Sequence, residues 1–181
     1  MTRENMKRWP IYIGAPLLAV AFIGVRWHGL DSFSLLQYEL LLIIGYVIAV
    51  KDGREKRITN ESLLILLACW TLTMIPQLVI DIERSLGLLK NAALGFALGG
   101  GLFLLVYILS KNGLGGGDVK LMAIAGLYLG MNGILPSMLY GSILASLFGL
   151  TMILTKKMER KDTIPLVPFL YTGILITIFF L

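Results

Sequence analysis

Residues Leu86 to Leu109 read LGLLKNAALGFALGGGLFLLVYIL, an apolar run interrupted by one charge, Lys90. A helix needs about 20 mostly apolar residues to cross a bilayer, and this run is long enough. Its Gly95, Gly99, Gly100 and Gly101 suit a helix that others approach closely, because in lipid small residues let backbones touch. Outward from it, apolar runs recur at Trp9–Val25, Phe33–Val50, Leu63–Ile80, Val119–Gly130, Ile134–Leu154 and Ile164–Leu181. The whole chain of 181 residues is 57% hydrophobic and 15% charged, with a mean hydropathy of +0.82. An ordinary soluble domain has roughly 45–50% apolar and 25% charged residues. The expectation is an all-α fold, a polytopic integral membrane helix bundle of about six or seven transmembrane helices. Val119–Gly130 is short for a span, and the Asn132-Gly133 turn leaves little room before the next run.

The net charge of +5 does not point to nucleic acid, because the basic residues form neither a face nor a stripe interleaved with aromatics. They sit in the gaps between apolar runs. With the N-terminus in the cytoplasm and seven alternating spans, 13 of the 16 Lys and Arg residues fall inside, leaving Arg26, Arg84 and Lys90 outside. That asymmetry sets the orientation, and topological anchoring accounts for these charges. Ala19-Val20-Ala21 has the form of a signal-peptide cleavage site but lies within an apolar run, so the first run is read as an uncleaved helix. No linker divides the chain, and residues 1–181 are read as one transmembrane domain without a separate soluble domain.

One cysteine, Cys69, lies in an apolar run, and one histidine, His28, lies in an expected outer loop. The first reads as a small packed hydrophobe and the second as an interfacial loop residue. Zinc-ligand spacings and Ser-His or Cys-His nucleophiles on the cytoplasmic side are thereby excluded. Chemistry in this chain falls to carboxylates, with no cofactor and no metal expected.

Asn112 to Leu121, NGLGGGDVKL, sets Asp118 behind three consecutive glycines, where one helix breaks and the next begins. An aspartate there can cap free backbone N–H groups, or it can be catalytic; this stretch alone does not choose. Ala49 to Asn60, AVKDGREKRITN, places Asp52 at the end of an apolar helix, on the same side of the membrane under the topology above. Alone, Asp52 reads as a partner of Lys51, Arg54 or Lys56 in a solvated loop rather than as a catalyst. Together the two change the balance, since ionisable groups at a membrane boundary are costly and mark function.

Two carboxylates close enough to share a proton do not both ionise readily, so one remains a base for water and the other an acid for the leaving group. That is aspartyl proteolysis. The helix dipole favours the charged form of Asp118, at a helix N-terminus, over that of Asp52, at a helix C-terminus, which casts Asp118 as the starting base.

Gly115-Gly116-Gly117-Asp118 has the form of the GxGD signature, and its continuation DVKLMAIAGLYLG resembles the type IV prepilin peptidases, or leader peptidases. Asp52, Ile58 and Asn60 resemble that family's other aspartate loop, and IPLVPFLYTG, Ile164 to Gly173, resembles its closing segment. The resemblance implies a membrane aspartyl endopeptidase that removes a short basic leader from type IV prepilin-like or pseudopilin precursors at the cytoplasmic face of a prokaryotic membrane. It carries the catalytic roles onto Asp52 and Asp118, with Gly115 and Gly117 shaping the loop, a role for which glycine's backbone freedom supplies a reason. Where the family commonly has Ile-Pro-Asn, this chain has Ile58-Thr59-Asn60, so the turn is expected to be less rigid. Long members carry a methylating domain with two C-x-x-C pairs. The single cysteine points to the short, peptidase-only branch.

Lys120, two residues after Asp118 in the candidate active-site loop, reads as snorkelling to lipid headgroups rather than as orienting a substrate carbonyl or tuning the two aspartates. The expected partners are the precursor and membrane lipids, with no nucleic acid. The rival reading is a small transporter or channel subunit using Asp52 and Asp118 for ions or protons. Such proteins place carboxylates near mid-membrane, often within internal repeats, and no repeat is visible here. An inactive scaffold keeping the same fold is a third reading, against which the presence of both aspartates speaks.

Overall fold

The computed structural model describes residues 31–110, 113–156 and 164–180, together with Gly14 and Phe22. Among the described residues five helical stretches follow one another: α1 (Ser32–Glu55), α2 (Asn60–Ile80), α3 (Ile82–Leu109), α4 (Gly116–Leu154) and α5 (Val167–Phe180). No strand occurs among the described residues. Four of these helices, α1 to α4, are long and apolar enough to cross a membrane, and α5 is a shorter apolar helix. The all-helical, apolar character matches the sequence reading; a count of six or seven spans is not established by these elements. The run Trp9–Val25 lies outside the described residues except for Gly14 and Phe22, which are helical and lie against Tyr46 and Tyr38 of α1.

Helix ends are set by local chemistry. Asp31 caps α1, accepting from the Ser34 N–H at 3.3 Å and its hydroxyl at 2.8 Å. Asp81, the single residue between α2 and α3, accepts from the Arg84 N–H at 3.0 Å. Arg84 also reaches Asp31 at 3.1 Å, so the start of α1 and the α2–α3 corner lie together at one end of the bundle. At the other end of α1, Lys56 adopts the left-handed conformation (φ 50°) and stops the helix after Glu55. Asp52 therefore stands in the last helical turn, one turn further along than the apolar pattern had placed the helix end.

The 39 residues of α4 would span about 58 Å if straight, twice the roughly 30 Å of a bilayer's hydrocarbon. They are not straight. Gly130 has φ 63° and ψ −173°, outside the helical region. Gly99 lies against both the Met122 carbonyl and Ile134, with an added Cβ only 3.0 Å from Ile134 Cγ1. Met122 and Ile134 would stand about 18 Å apart along a continuous helix, so the chain reverses at Gly130. Asn91 of α3 holds the reversal, its Oδ1 accepting from the Met131 N–H at 3.0 Å. The turn falls at Gly130, and not at Asn132-Gly133 as expected, because only glycine adopts that positive φ freely. The first arm is short for lipid because protein surrounds it: from Leu121 to Gly130 every residue except Leu127 is buried.

The second arm packs antiparallel to α5, with Gly141 beside Leu170 and Gly173 beside Ser137 and Gly141. Leu41, Leu42, Leu66, Met122, Ile134 and Leu170 form the centre of the core. Hydroxyls enclosed there find carbonyls, Tyr128 on Leu66 at 2.6 Å and Tyr171 on Leu42 at 3.1 Å. The outer surface is apolar, with Leu72, Val79, Leu109 and Leu154 largely exposed, a surface that suits lipid.

Candidate active site

Asp118 occupies the third position of α4. Its Oδ2 accepts from the N–H of Gly115 at 3.2 Å, while its own N–H donates to the Gly115 carbonyl at 3.1 Å. The capping role read from the sequence is therefore real, and among the described residues it is the one hydrogen bond that the carboxylate accepts. Asp52 comes to the same place from the last turn of α1. Both side chains are buried, 6% and 9% exposed, and both line one cavity of about 450 Å³ with Lys56, Gly113, Leu114, Gly115 and the 164–166 segment. A second cavity of about 300 Å³, walled by Arg57, Ile58, Thr59 and Gly117, also reaches both carboxylates. The two are near enough for the charge of Asp52 to act on Asp118.

The Asp52 carboxylate makes no ion pair with Lys51, Arg54 or Lys56; Oδ2 accepts instead from the backbone N–H of Val167 at 3.2 Å. Val167 is the first residue of α5. Asp52 thus ends one helix and faces the N-terminus of another, so the positive end of a helix dipole meets each aspartate. This tertiary contact works against the dipole asymmetry that cast Asp118 as the starting base, although Asp52 still stands at the C-terminal end of α1.

The glycines act through space. Gly115 has φ −75° and ψ 136°, ordinary extended backbone, and among the described glycines only Gly130 has a positive φ. A Cβ on Gly115 would stand 2.8 Å from Asp118 Oδ2, and one on Gly117 3.0 Å from Ile58 Cβ. Nothing lies within 4 Å of a Cβ on Gly116. Backbone freedom is therefore not the reason for Gly115 and Gly117: one makes room for the aspartate and the other for the opposite loop.

Ile58 and Asn60, 58 and 56 residues before the start of α4, both face its first turns. Ile58 packs on Gly117, and Asn60 Oδ1 accepts from Lys120 Nζ at 3.0 Å. Lys120 lines a separate apolar cleft with Asn60, Leu63, Leu64 and Phe96, and neither carboxylate lines it. Thr59, which stands where the family commonly has proline, is extended (φ −81°, ψ 137°) and occupies the position before α2 without a side-chain bond to the helix's backbone N–H groups; its hydroxyl lies 2.8 Å from that of Ser62.

Sequence reasoning missed Val167, because a backbone donor leaves no trace in residue identity. It also passed over Glu39, a buried carboxyl of α1 whose Oε1 has no hydrogen-bond partner among the described residues. A lone acid in an apolar run was the available signal; Glu39 stands about 20 Å along the helix from Asp52 and does not line its cavities. Among the described residues no three His, Cys, Asp or Glu side chains gather to hold a metal ion. Two buried carboxylates on a cavity of about 450 Å³, with room for water, can relay protons through a hydrolysis.

Residues 39–150, which include both aspartates, match the type IV leader peptidase family. Two curated relatives bear the name prepilin leader peptidase/N-methyltransferase. The one from Bacillus subtilis is 29% identical over 163 residues, covering 89% of this chain and 60% of the relative. The one from Xanthomonas campestris is 32% identical over 172 residues, covering 89% of this chain and 57% of the relative. The chain thus spans less than two thirds of the length of these relatives. No solved structure matches it significantly.

Proposed function

Because the chain belongs to the type IV leader peptidase family, we propose that it is an aspartyl endopeptidase that removes the basic leader from type IV prepilin-like precursors at the cytoplasmic face of the membrane. The observation that carries this reading is the meeting of Asp52 and Asp118, from α1 and α4, in one cavity. One carboxylate takes a proton from water as its oxygen attacks the scissile carbonyl; the other, protonated, gives its proton to the departing amine. The pair is restored when the first carboxyl passes its proton to the second. In this scheme Gly115 and Gly117 keep the loop narrow, and Lys120 ties α4 to α2 through Asn60.

The multi-pass topology, with the N-terminus and the aspartates on the cytoplasmic side, is supported by the distribution of Lys and Arg. Lys56 and Arg57 at the cavity rims would repel a basic leader, so recognition is assigned to the precursor's apolar helix and its cleavage junction. The test is co-expression with a pilin-like precursor. Wild type shortens the precursor on a gel, and Asp52→Ala and Asp118→Ala leave it full length. A precursor shortened equally by all three removes the proposal.

The glycine geometry adds a sharper expectation. In Gly117→Ala the new methyl presses on Ile58 and shifts the Asp118 loop, and since small displacements of catalytic groups are costly, kcat is expected to fall about 10-fold or more. Gly116→Ala, with open space at its Cβ, is expected to cleave within about twofold of wild type, since no contact changes and alanine suits a helix. Cleavage rates of the two purified variants, side by side, check this; equal losses would contradict it.

A further inference from the structure

The two aspartates are oriented by different means. Asp118 is held from within its own loop, by Gly115 three residues earlier, whereas Asp52 is held from a helix 115 residues away. The first N–H groups of a helix have no partner inside it. Val167 opens α5, so its N–H is free to be given, and Asp52 Oδ2 takes it. The side chain of Val167 is 1% exposed, and Ile164, Pro165 and Leu166 just before it form one wall of the aspartates' cavity. The Val167 donor is therefore fixed by packing.

We infer that the backbone N–H of Val167 is a positioning group for Asp52: it fixes the carboxylate so that its second oxygen serves the reaction, and docking of α5 thereby sets the catalytic geometry. This rests on the peptidase reading above. The α5 helix contains no Asp, Glu, His, Lys or Cys, and its hydroxyls, those of Tyr171, Thr172 and Thr177, are given to backbone carbonyls. Its contribution is one hydrogen bond and the cavity wall that precedes it, and displacement of its first turn would release Asp52 while leaving Asp118 held.

Proline separates the N–H from the rest. It is well tolerated at the first position of a helix, where no intrahelical bond is lost, and it asks the preceding residue to be extended, as a helix cap is. The carbonyl of Leu166 accepts from Phe169 and Leu170 at 3.1 Å, bonds that a proline at 167 does not touch. The variants Val167→Pro and Val167→Ala are compared in the full chain, purified into lipid, on a synthetic precursor with a basic leader and an apolar helix. Val167→Pro is expected to lose roughly 10- to 100-fold in kcat, the range for one hydrogen bond to a charged group, with KM within about twofold. Val167→Ala, which trims the side chain and keeps the N–H, is expected to stay within about fivefold of wild type, since what it loses is packing. In parallel, amide exchange over residues 164–170 is expected to accelerate in Asp52→Ala, because the acceptor is gone.

Proline cleaving like wild type, alanine losing as much as proline, or exchange unchanged in Asp52→Ala would each overturn the inference. A wild type that cleaves no such precursor would instead overturn the peptidase reading beneath it, and the exchange result would then show separately whether the bond to Asp52 exists.

Discussion

Asp118→Asn is expected to lower precursor cleavage by at least roughly 1,000-fold, and Asp52→Asn by a similar factor. Asparagine keeps the size of the side chain and still offers an oxygen to Gly115 or Val167, so the folded protein should persist while the proton relay is lost. In the proposed mechanism the pair acts as a unit. The double variant is therefore expected to be about as inactive as either single variant, because once one member is missing the other has nothing to exchange protons with. The rate in wild type should be bell-shaped in pH, falling when both carboxyls are protonated and when neither is. Initial rates on a purified precursor, with folding checked by thermal midpoint in detergent, test all of this. A single variant retaining a tenth of wild-type activity would remove that residue from the relay.

The second large effect concerns the scaffold. Gly95→Leu is expected to abolish accumulation of folded protein in the membrane. A Cβ at Gly95 would overlap the carbonyl of Gly126 and lie 2.7 and 2.8 Å from the carbonyl carbon and Cα of Gly130. These are backbone atoms, and the latter belong to the residue where α4 reverses, so neither side can yield locally. Overpacking in a core costs about 1–3 kcal/mol where side chains can move; with backbone on both sides the expected loss is at least about 3 kcal/mol. Gly101, in the same run, has open space around its Cβ. Gly101→Ala is expected to be neutral or to stabilise by up to about 1 kcal/mol through helix propensity. Thermal midpoints and steady-state levels of the two variants distinguish a packing requirement at Gly95 from a general demand for glycine.

That contrast also shows what could be read from the chain in advance. The run Leu86–Leu109 announced both a membrane-length helix and a close-packed one, and Gly95, Gly99 and Gly100 are indeed where α4 comes nearest, while Gly101 is not. Periodicity of apolar residues cannot tell which glycine faces a neighbour when every face is apolar. The reversal at Gly130 was legible as two runs, but its position was misplaced. Asn132-Gly133 has the ordinary look of a turn, and nothing local says that Asn91, forty residues earlier, would secure the chain at Met131. The first arm of α4 looked short for a span because its length was measured against lipid, whereas its surroundings are protein.

At the site, the aspartates and glycines were visible because their chemistry and spacing are unusual in an apolar chain. Their orientation was not. Judging Asp52 by the helix it ends gives a negative dipole end; the structure adds the start of α5, which no local reading of residues 49–60 contains. Lys120 lay close to Asp118 in sequence, yet two positions along a helix turn a side chain well away from its neighbour, and it meets Asn60.

The claim on which the account turns is that the side chains at 52 and 118 share one enclosure. It is tested most directly by replacing both with cysteine in a Cys69→Ser background, in native membranes, and measuring cross-linking by mercuric ion against each single-cysteine control. The account predicts near-complete intramolecular cross-linking, with both thiols labelled by a membrane-impermeant reagent from the cytoplasmic side alone. Two reactive thiols that never cross-link, or that are labelled from opposite sides of the membrane, would contradict it.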